Sequence, residues 1–482
     1  MIDIRPVLFV VGILLTTLAA FMFVPALADA VAGNPDWRVF LAAASFTLFI
    51  GVSLVLMNYT GRIDLSVRQT FLLTTLAWAV TAAFAALPFA FAELDLDYAD
   101  AFFESMSGLT TTGSTVIVGL DGAPPGILLW RALLQWQGGI GIIVMAIAVL
   151  PMLRVGGMQL FHSESSDRSE KVLPRAAQVA AVIGVIYLTL TAIAAAAYWI
   201  AGMTPFEAVS HAMTTIATAG FSTSDASIGH FQSASIEWIA TAFMVIGSLP
   251  FILYFQLVRG HGNELWRDRQ VQTFLAIVAV AVAMIAGWLW LANGDPPESA
   301  FRHAAFNTIS MITGTGYAST DFNAWGGFAV TVLLFAMIVG GCTGSTTGGI
   351  KVFRFQVLYA TAEVQIRRLL QPHGVFVARY NRKPVPEPVG DAVMSFFILF
   401  ALGFIVVALT LATLGLDFMT SVSGALTALA NVGPGLGDVI GPQGSFATLP
   451  ATAKWVLSAA MLLGRLEFFT VLVLFTPRFW RG

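Results

Sequence analysis

The chain has a single cysteine, Cys342, so no intrachain disulfide is open to it, and no metal-ligand spacing surrounds that thiol. Its six histidines (162, 211, 230, 261, 303 and 373) are scattered, with no HxxxH or HExxH pattern to hold zinc. GxSxG is missing, and no paired Asp lies within an apolar stretch. Nucleophile–base and metal-assisted chemistry therefore lack candidates, and an enzyme is not expected. Charge is scarce as well, at 11% of residues, where soluble domains carry about a quarter. The net charge of −3 offers no basic surface for a nucleic acid, which is excluded as a partner. Apolar residues fill the chain instead, at 57% with a mean hydropathy of +0.82. This predicts an all-α polytopic membrane protein, surrounded by lipid.

Ten segments are long enough to cross a bilayer, near 7–27, 39–58, 70–92, 128–153, 176–201, 236–258, 272–292, 328–358, 392–414 and 453–475. No cleavable signal is evident: the first segment, flanked by Arg5, reads as a transmembrane helix. With both termini in the cytoplasm, 19 of the 24 Lys and Arg fall on the cytoplasmic side. Only Arg38, Arg131, Arg302 and Lys454 fall outside, and Arg465 lies within the last segment. The opposite orientation would invert the positive-inside bias and is rejected. The outer loops are acidic (Glu93, Asp95, Asp97, Asp100, Asp295, Glu298) and would concentrate cations.

Four shorter apolar segments remain on the outer side, at 100–112, 204–218, 299–314 and 417–431, each too short to cross and suited to a re-entrant half-helix. Helix-start signals precede them. TPFE (204–207) has Thr at the N-cap, Pro next and Glu at the third position, a capping box. Asp100, Asp417 and, more weakly, Ser299 are the expected caps of the first, fourth and third.

Each half-helix ends in a polar, glycine-centred turn: TTTGSTV (110–116), ATAGFST (217–223), TGTGYAS (313–319) and NVGPGLG (431–437). The central glycines, Gly113, Gly220, Gly316 and Gly433, lie 107, 96 and 117 residues apart, with a full span on either side of each. The chain thus reads as a leading two-helix unit (1–69) followed by four pore repeats, 70–153, 154–258, 259–358 and 359–482. Four such units can surround one pore with pseudo-fourfold symmetry. Uncovered backbone at membrane depth is tolerated where it lines a water-filled path. Four loops there can present rings of carbonyl oxygens to a dehydrated potassium ion. The candidate coordinating residues are Thr111, Thr112 and Gly113; Thr218, Ala219 and Gly220; Gly314, Thr315 and Gly316; and Asn431, Val432 and Gly433.

The eighth span is interrupted by VGGCTGSTTGGIKVFR (339–354), in which Gly341, Gly344, Gly348 and Gly349 fall within nine residues. At about 1 kcal/mol per glycine relative to alanine, the helix should break there. A phosphate-binding loop is excluded, because the required Lys position holds Ile350. Two readings stand: a kink packed tightly on a neighbour, or an intramembrane loop beneath the filter that acts as a gate, formed by Gly341, Thr343, Gly344, Ser345, Thr346, Thr347, Gly348, Gly349 and Lys351. Lys351 would anchor it on carbonyls or an acidic group. Arg465, mid-span, faces either a polar pore or an acidic partner; Glu467, two residues on, is on the wrong side of the same helix. His211 reads as a hydrogen-bonded packing residue. The basic loops 154–175 and 351–391 are either ordinary cytoplasmic flanks or a docking surface.

These motifs together resemble the Trk/Ktr/HKT superfamily of potassium transporters over nearly the whole chain, and the leading helix pair and length are most similar to its bacterial TrkH/TrkI branch. The resemblance implies potassium uptake across the bacterial inner membrane, with potassium as the transported ion and no other cofactor. It implies a gate role for 341–351 and an electrostatic barrier at Arg465 below the filter. It also implies a homodimer and a cytosolic TrkA-like ring of nucleotide-binding (RCK) subunits, a separate polypeptide since this chain has no such domain. In the family, serine at the first-loop glycine accompanies sodium permeability, so glycine at all four positions implies potassium selectivity. Tyr317 stands where the family often has Phe. Sodium- or proton-coupled potassium symport, and a non-conducting membrane scaffold, remain as alternatives.

Overall fold

The computed structural model describes residues 2–59, 61, 65–146, 153, 172–260, 262–381 and 383–481. Seven helices among these are long and apolar enough to cross a membrane: Arg5–Ala32, Trp37–Asn58, Val67–Phe91, Pro125–Val144, Ala180–Ile200, Arg269–Leu291 and Glu387–Thr413. The protein is a multi-pass membrane protein. Strand is confined to one antiparallel pair among the described residues, Arg379–Tyr380 with Lys383–Pro384.

The remaining three expected spans are all broken. The sixth bends by 90° between Ala234–Gly247 and Phe251–Val258. Pro250 lies at the break; it has no N–H to continue the helix and drives the residue before it from the helical region. The eighth is helical over Gly327–Val339, leaves the helix across 340–351 and resumes as Val352–Leu370, well past the expected end at 358. That extension carries exposed polar residues, with Arg367 and Arg368 in its last turn, so apolar patterning did not reveal it. The last span turns by 112° after Ala451–Leu466, where Glu467 adopts φ +67°.

The four half-helices are Tyr98–Leu109, Pro205–Ile216, Pro297–Thr313 and Phe418–Ala430. At about 1.5 Å per residue, twelve residues reach roughly 18 Å, about half a bilayer. Thr204 and Glu207 form the expected capping box, and Asp417 accepts from the Thr420 N–H. The first cap is Asp97 rather than Asp100: the helix begins one residue after Asp97, whose carboxylate accepts from the Asp100 N–H. The third half-helix has no side-chain cap; it starts behind Pro296, and the Ser299 hydroxyl donates to the Pro296 carbonyl.

The half-helices form the interior. Almost every residue in their second halves is buried, including Ser105, Ser107, Thr214, Thr215, Thr308, Ser310, Ser423 and Thr427. The leading pair packs outside them, with its backbones close: a Cβ on Gly12 would lie 2.8 Å from the Gly51 carbonyl oxygen. Asp29 ties this pair to the fourth span, its carboxylate accepting from the Gly126 N–H at 2.6 Å and so satisfying an open donor at the start of Pro125–Val144.

Candidate ion-conducting site

In every loop after a half-helix, two residues two positions apart take left-handed backbone: Thr111 and Gly113 (φ 55° and 88°), Thr218 and Gly220 (49° and 78°), Gly314 and Gly316 (73° and 79°), Asn431 and Gly433 (54° and 109°). Alternating left-handed and ordinary residues turns successive peptide planes the same way. The loops then meet in a repeating contact. A Cβ added to Gly113 would strike the Ala219 carbonyl, one on Gly220 the Thr315 carbonyl, and one on Gly316 the Val432 carbonyl; one on Gly433 would lie 2.9 Å from the Thr112 oxygen. Each carbonyl belongs to the residue just before the next loop's glycine. The contacts run from first loop to second, third, fourth and back to the first. Eight of the twelve residues expected to coordinate form the contacts of this closed ring, the other four (Thr111, Thr218, Gly314 and Asn431) precede them in the same loops, and only glycine fits at its four joints.

Side chains brace the ring. Ser114 donates to the Gly433 carbonyl at 2.6 Å, and the Asn431 amide donates to Thr112 Oγ1 at 2.9 Å and to the Met461 carbonyl at 3.0 Å. The Tyr317 hydroxyl bonds Thr214 and lies 3.2 Å from Thr215 Oγ1, contacts that Phe would lack. His211 is fully buried and hydrogen-bonded to the Glu207 carbonyl and Ser222 Oγ, a packing residue as expected.

On one side of the ring opens a cavity of about 210 Å³, reached by Gly113, Gly220, Gly316 and Pro434. Asp225 lines it and accepts from the Gly119 and Leu120 N–H groups. Asp121 beside it is held below the ordinary carboxylate range, chiefly by a hydrogen bond from Ser224, then by the Asp225 N–H and His230. A carboxylate kept ionised there raises the local cation concentration.

On the other side lies the 340–351 loop. Its stems pair, Lys351 N–H to Val339 and Ile350 N–H to Ile338, at 2.9 and 3.1 Å. Its tip reaches three of the four loops of the ring. Thr346 Oγ1 accepts from Thr218 Oγ1 at 3.0 Å, and a Cβ on Gly348 would meet Asn431 at 3.0 Å and the Ala430 carbonyl. The Gly348 N–H lies 3.8 Å from where Gly314 would carry a Cβ. The bent sixth span holds the loop: Cys342 N–H donates to Ser248, and Phe251 N–H to Gly344. Arg465, buried at 4% exposure, donates from Nη1 to the Thr346 carbonyl at 3.0 Å, while its Nε and Nη2 find no hydrogen-bond partner among the described residues. Glu467 is not its partner; that carboxylate pairs with the buried Arg354. Lys351 is buried without a side-chain hydrogen bond among the described residues, close enough to Glu467 to feel its charge, while Arg465 supplies the side-chain hydrogen bond to the loop. The 154–171 stretch of the basic loop lies outside the described residues.

The TrkH family model, described as a cation transport protein, matches residues 37–481. The chain belongs to the TrkH family. A TrkH-family member is a membrane ion transporter rather than an enzyme. The Trk system potassium uptake protein TrkI of Halomonas elongata is 46% identical over 99% of this chain and 97% of its own length. The Trk system potassium uptake protein TrkH of Salmonella typhimurium is 40% identical over 99% of each. The crystal structure of the potassium transporter TrkH from Vibrio parahaemolyticus superposes with a TM-score of 0.92 at 38% identity, covering all of both chains. The fold expected from the motifs is thus that of the TrkH family.

Sequence reasoning missed one group in this TrkH-family site. Arg131, read as an outer flanking charge, is 1% exposed and pairs with fully buried Glu104 at 2.7 Å, behind the first and second loops. A charge next to Gln135 at helical spacing was the available signal, but nothing local indicated what either would meet.

Proposed function

We propose that this chain is the membrane subunit of a potassium uptake system of the bacterial inner membrane, with both termini cytoplasmic. The observation that carries this reading is the closed ring of four left-handed, glycine-jointed loops. Potassium sheds water in the vestibule beside Asp225 and is coordinated by backbone oxygens drawn from the loops Thr111–Gly113, Thr218–Gly220, Gly314–Gly316 and Asn431–Gly433, other than the Ala219 and Gly433 carbonyls, which hydrogen bonds from behind hold in place. Glycine at all four joints favours potassium over sodium. The names of the relatives in Halomonas elongata and Salmonella typhimurium support the ion assigned.

The loop from Gly341 to Lys351 is the gate, resting against the filter from below, and Arg465 is both its tether and an electrostatic barrier. The four pore repeats are those of the sequence, with the third extended to Leu370. A homodimer of this chain works with a cytosolic TrkA-like nucleotide-binding subunit, which moves the gate. Reconstituted flux of potassium, rubidium and sodium tests this, together with potassium-limited growth of an uptake-deficient strain. Selective potassium flux and restored growth are expected. Folded dimer that passes no potassium, with or without the cytosolic subunit, would mark a non-conducting scaffold. Flux that stops without a sodium or proton gradient would replace passive permeation with symport.

A further inference from the structure

The four loops are not held alike. In the third, the Ser310 hydroxyl, six residues before Gly316, donates to the Tyr317 carbonyl at 2.7 Å. In the fourth, the Thr427 hydroxyl, six residues before Gly433, donates to the Gly433 carbonyl at 3.1 Å. Each of these loops is thus held by its own half-helix. Thr214 holds the same position in the second loop, yet its hydroxyl is turned to the Ser210 and His211 carbonyls and the Tyr317 hydroxyl. Backbone bonds from the Thr218 and Ala219 N–H groups still join that loop to its half-helix, but, as in the first loop, where the Ser107 hydroxyl finds no partner among the described residues, the hydroxyl tie is missing.

The support comes from the span Pro125–Val144, which belongs to the first repeat. Gln135 is completely buried, and its amide straddles Gly220: Nε2 donates to the Ala219 carbonyl at 2.6 Å, and Oε1 accepts from the Phe221 N–H at 3.0 Å. Four residues earlier, on the same helix face, Arg131 donates to the Ser222 carbonyl at 2.7 Å and lies 4.0 Å over the Phe221 ring. Glu104 balances that buried charge and also accepts from the Val116 N–H of the first loop. One helix face therefore fixes residues 219, 221 and 222, on both sides of a ring joint.

We infer that Gln135, seconded by Arg131, is a positioning residue that sets ion preference by holding the second filter loop open from behind. The inference rests on the potassium-filter reading above. A filter that discriminates against the smaller sodium ion must resist closing around it, whether selection acts through ring size or through the number of oxygens presented. Ala219, whose carbonyl is tied back to Gln135, is one joint of the ring. Without the amide, that segment is free to move inward and coordinate sodium.

The test is potassium and sodium flux through the reconstituted full-length dimer carrying Gln135→Met, which keeps length and removes both hydrogen bonds. Potassium flux should persist, and the potassium-over-sodium preference should fall about tenfold, the weight of one or two buried hydrogen bonds. Arg131→Lys, which keeps a charge opposite Glu104 and loses the fork, should give a smaller fall in the same direction; it decides the matter where Gln135→Met does not fold. Folded variants with wild-type preference overturn the inference. So do variants whose potassium and sodium fluxes drop in parallel with their thermal stability, since that is a purely structural role. Wild-type protein that fails to pass potassium would instead overturn the filter reading itself.

Discussion

Replacing Arg465 should raise potassium flux, and the structure sets the size of the effect. The guanidinium donates to the Thr346 carbonyl at 3.0 Å, and the Thr346 hydroxyl accepts from Thr218 at the base of the second loop of the ring, also at 3.0 Å. Two hydrogen bonds with one residue between them put the charge about 10 Å from an ion just below the filter. At an effective dielectric of ~20 the repulsion is about 1.7 kcal/mol, a 15- to 20-fold factor in crossing rate. Arg465→Ala removes both this repulsion and the tether on the gate. Arg465→Lys keeps the charge and should retain most of the barrier. Arg465→Gln keeps a donor for Thr346 and loses the charge, so it separates the two contributions. Gln matching Ala identifies a Coulombic barrier; Gln matching wild type while Ala conducts identifies a tether. Initial rates of rubidium uptake into potassium-loaded vesicles read out all four proteins. Ala and Gln both leaving flux unaltered, with reduced thermal stability, would refute the barrier and the tether together.

Gly113→Ser should weaken potassium-over-sodium selectivity, because the residue sits at φ 88° and its new side chain would run into the Ala219 carbonyl; an unchanged permeability ratio would count against the filter. Deleting Thr343–Gly348 should raise basal flux and leave the fold intact, since the stems already pair at Ile338–Ile350 and Val339–Lys351 and can close over a shorter turn. A folded, dimeric deletion protein that conducts no better would remove the gate assignment. Asp417→Ala should cost about 1 kcal/mol through loss of the fourth half-helix cap, measured as thermal stability in detergent. Hydrogen bonds from Thr420 hold the Asp417 pKa below its usual value of 3.8. The cap's contribution is therefore fully present above that value and disappears as pH falls through the lowered one, so wild type and variant should converge in strong acid.

What the sequence made legible was whatever repeats locally. The half-helices, their glycines and two of their caps follow from spacing and capping chemistry, and the left-handed conformation at all four central glycines agrees with that reading. Thr111 and Thr218 also adopt positive φ, which their residue type did not announce, whereas Asn431, a residue type that readily takes left-handed backbone at a helix end, does so as the C-cap of the fourth half-helix. The bend at Pro250 had a visible cause, but a proline in an apolar run was outweighed by hydropathy. The break at Glu467 had none nearby, because the partner that pins its carboxylate, Arg354, is 113 residues away. Arg131 and Lys454 were read as outer charges for the same reason. Their acidic partners, Glu104 and Asp100, lie in the first half-helix, and the pairing withdraws both cations from the surface.

The last joint of the ring bears on how the protein is made. Ser114 donates to Gly433 and Asn431 to Thr112 across 319 residues of chain, so the circle cannot form until the fourth loop has left the ribosome and entered the bilayer. Before then the nascent chain holds three loops with nothing to close them, and a product truncated before residue 431 has no closed ring.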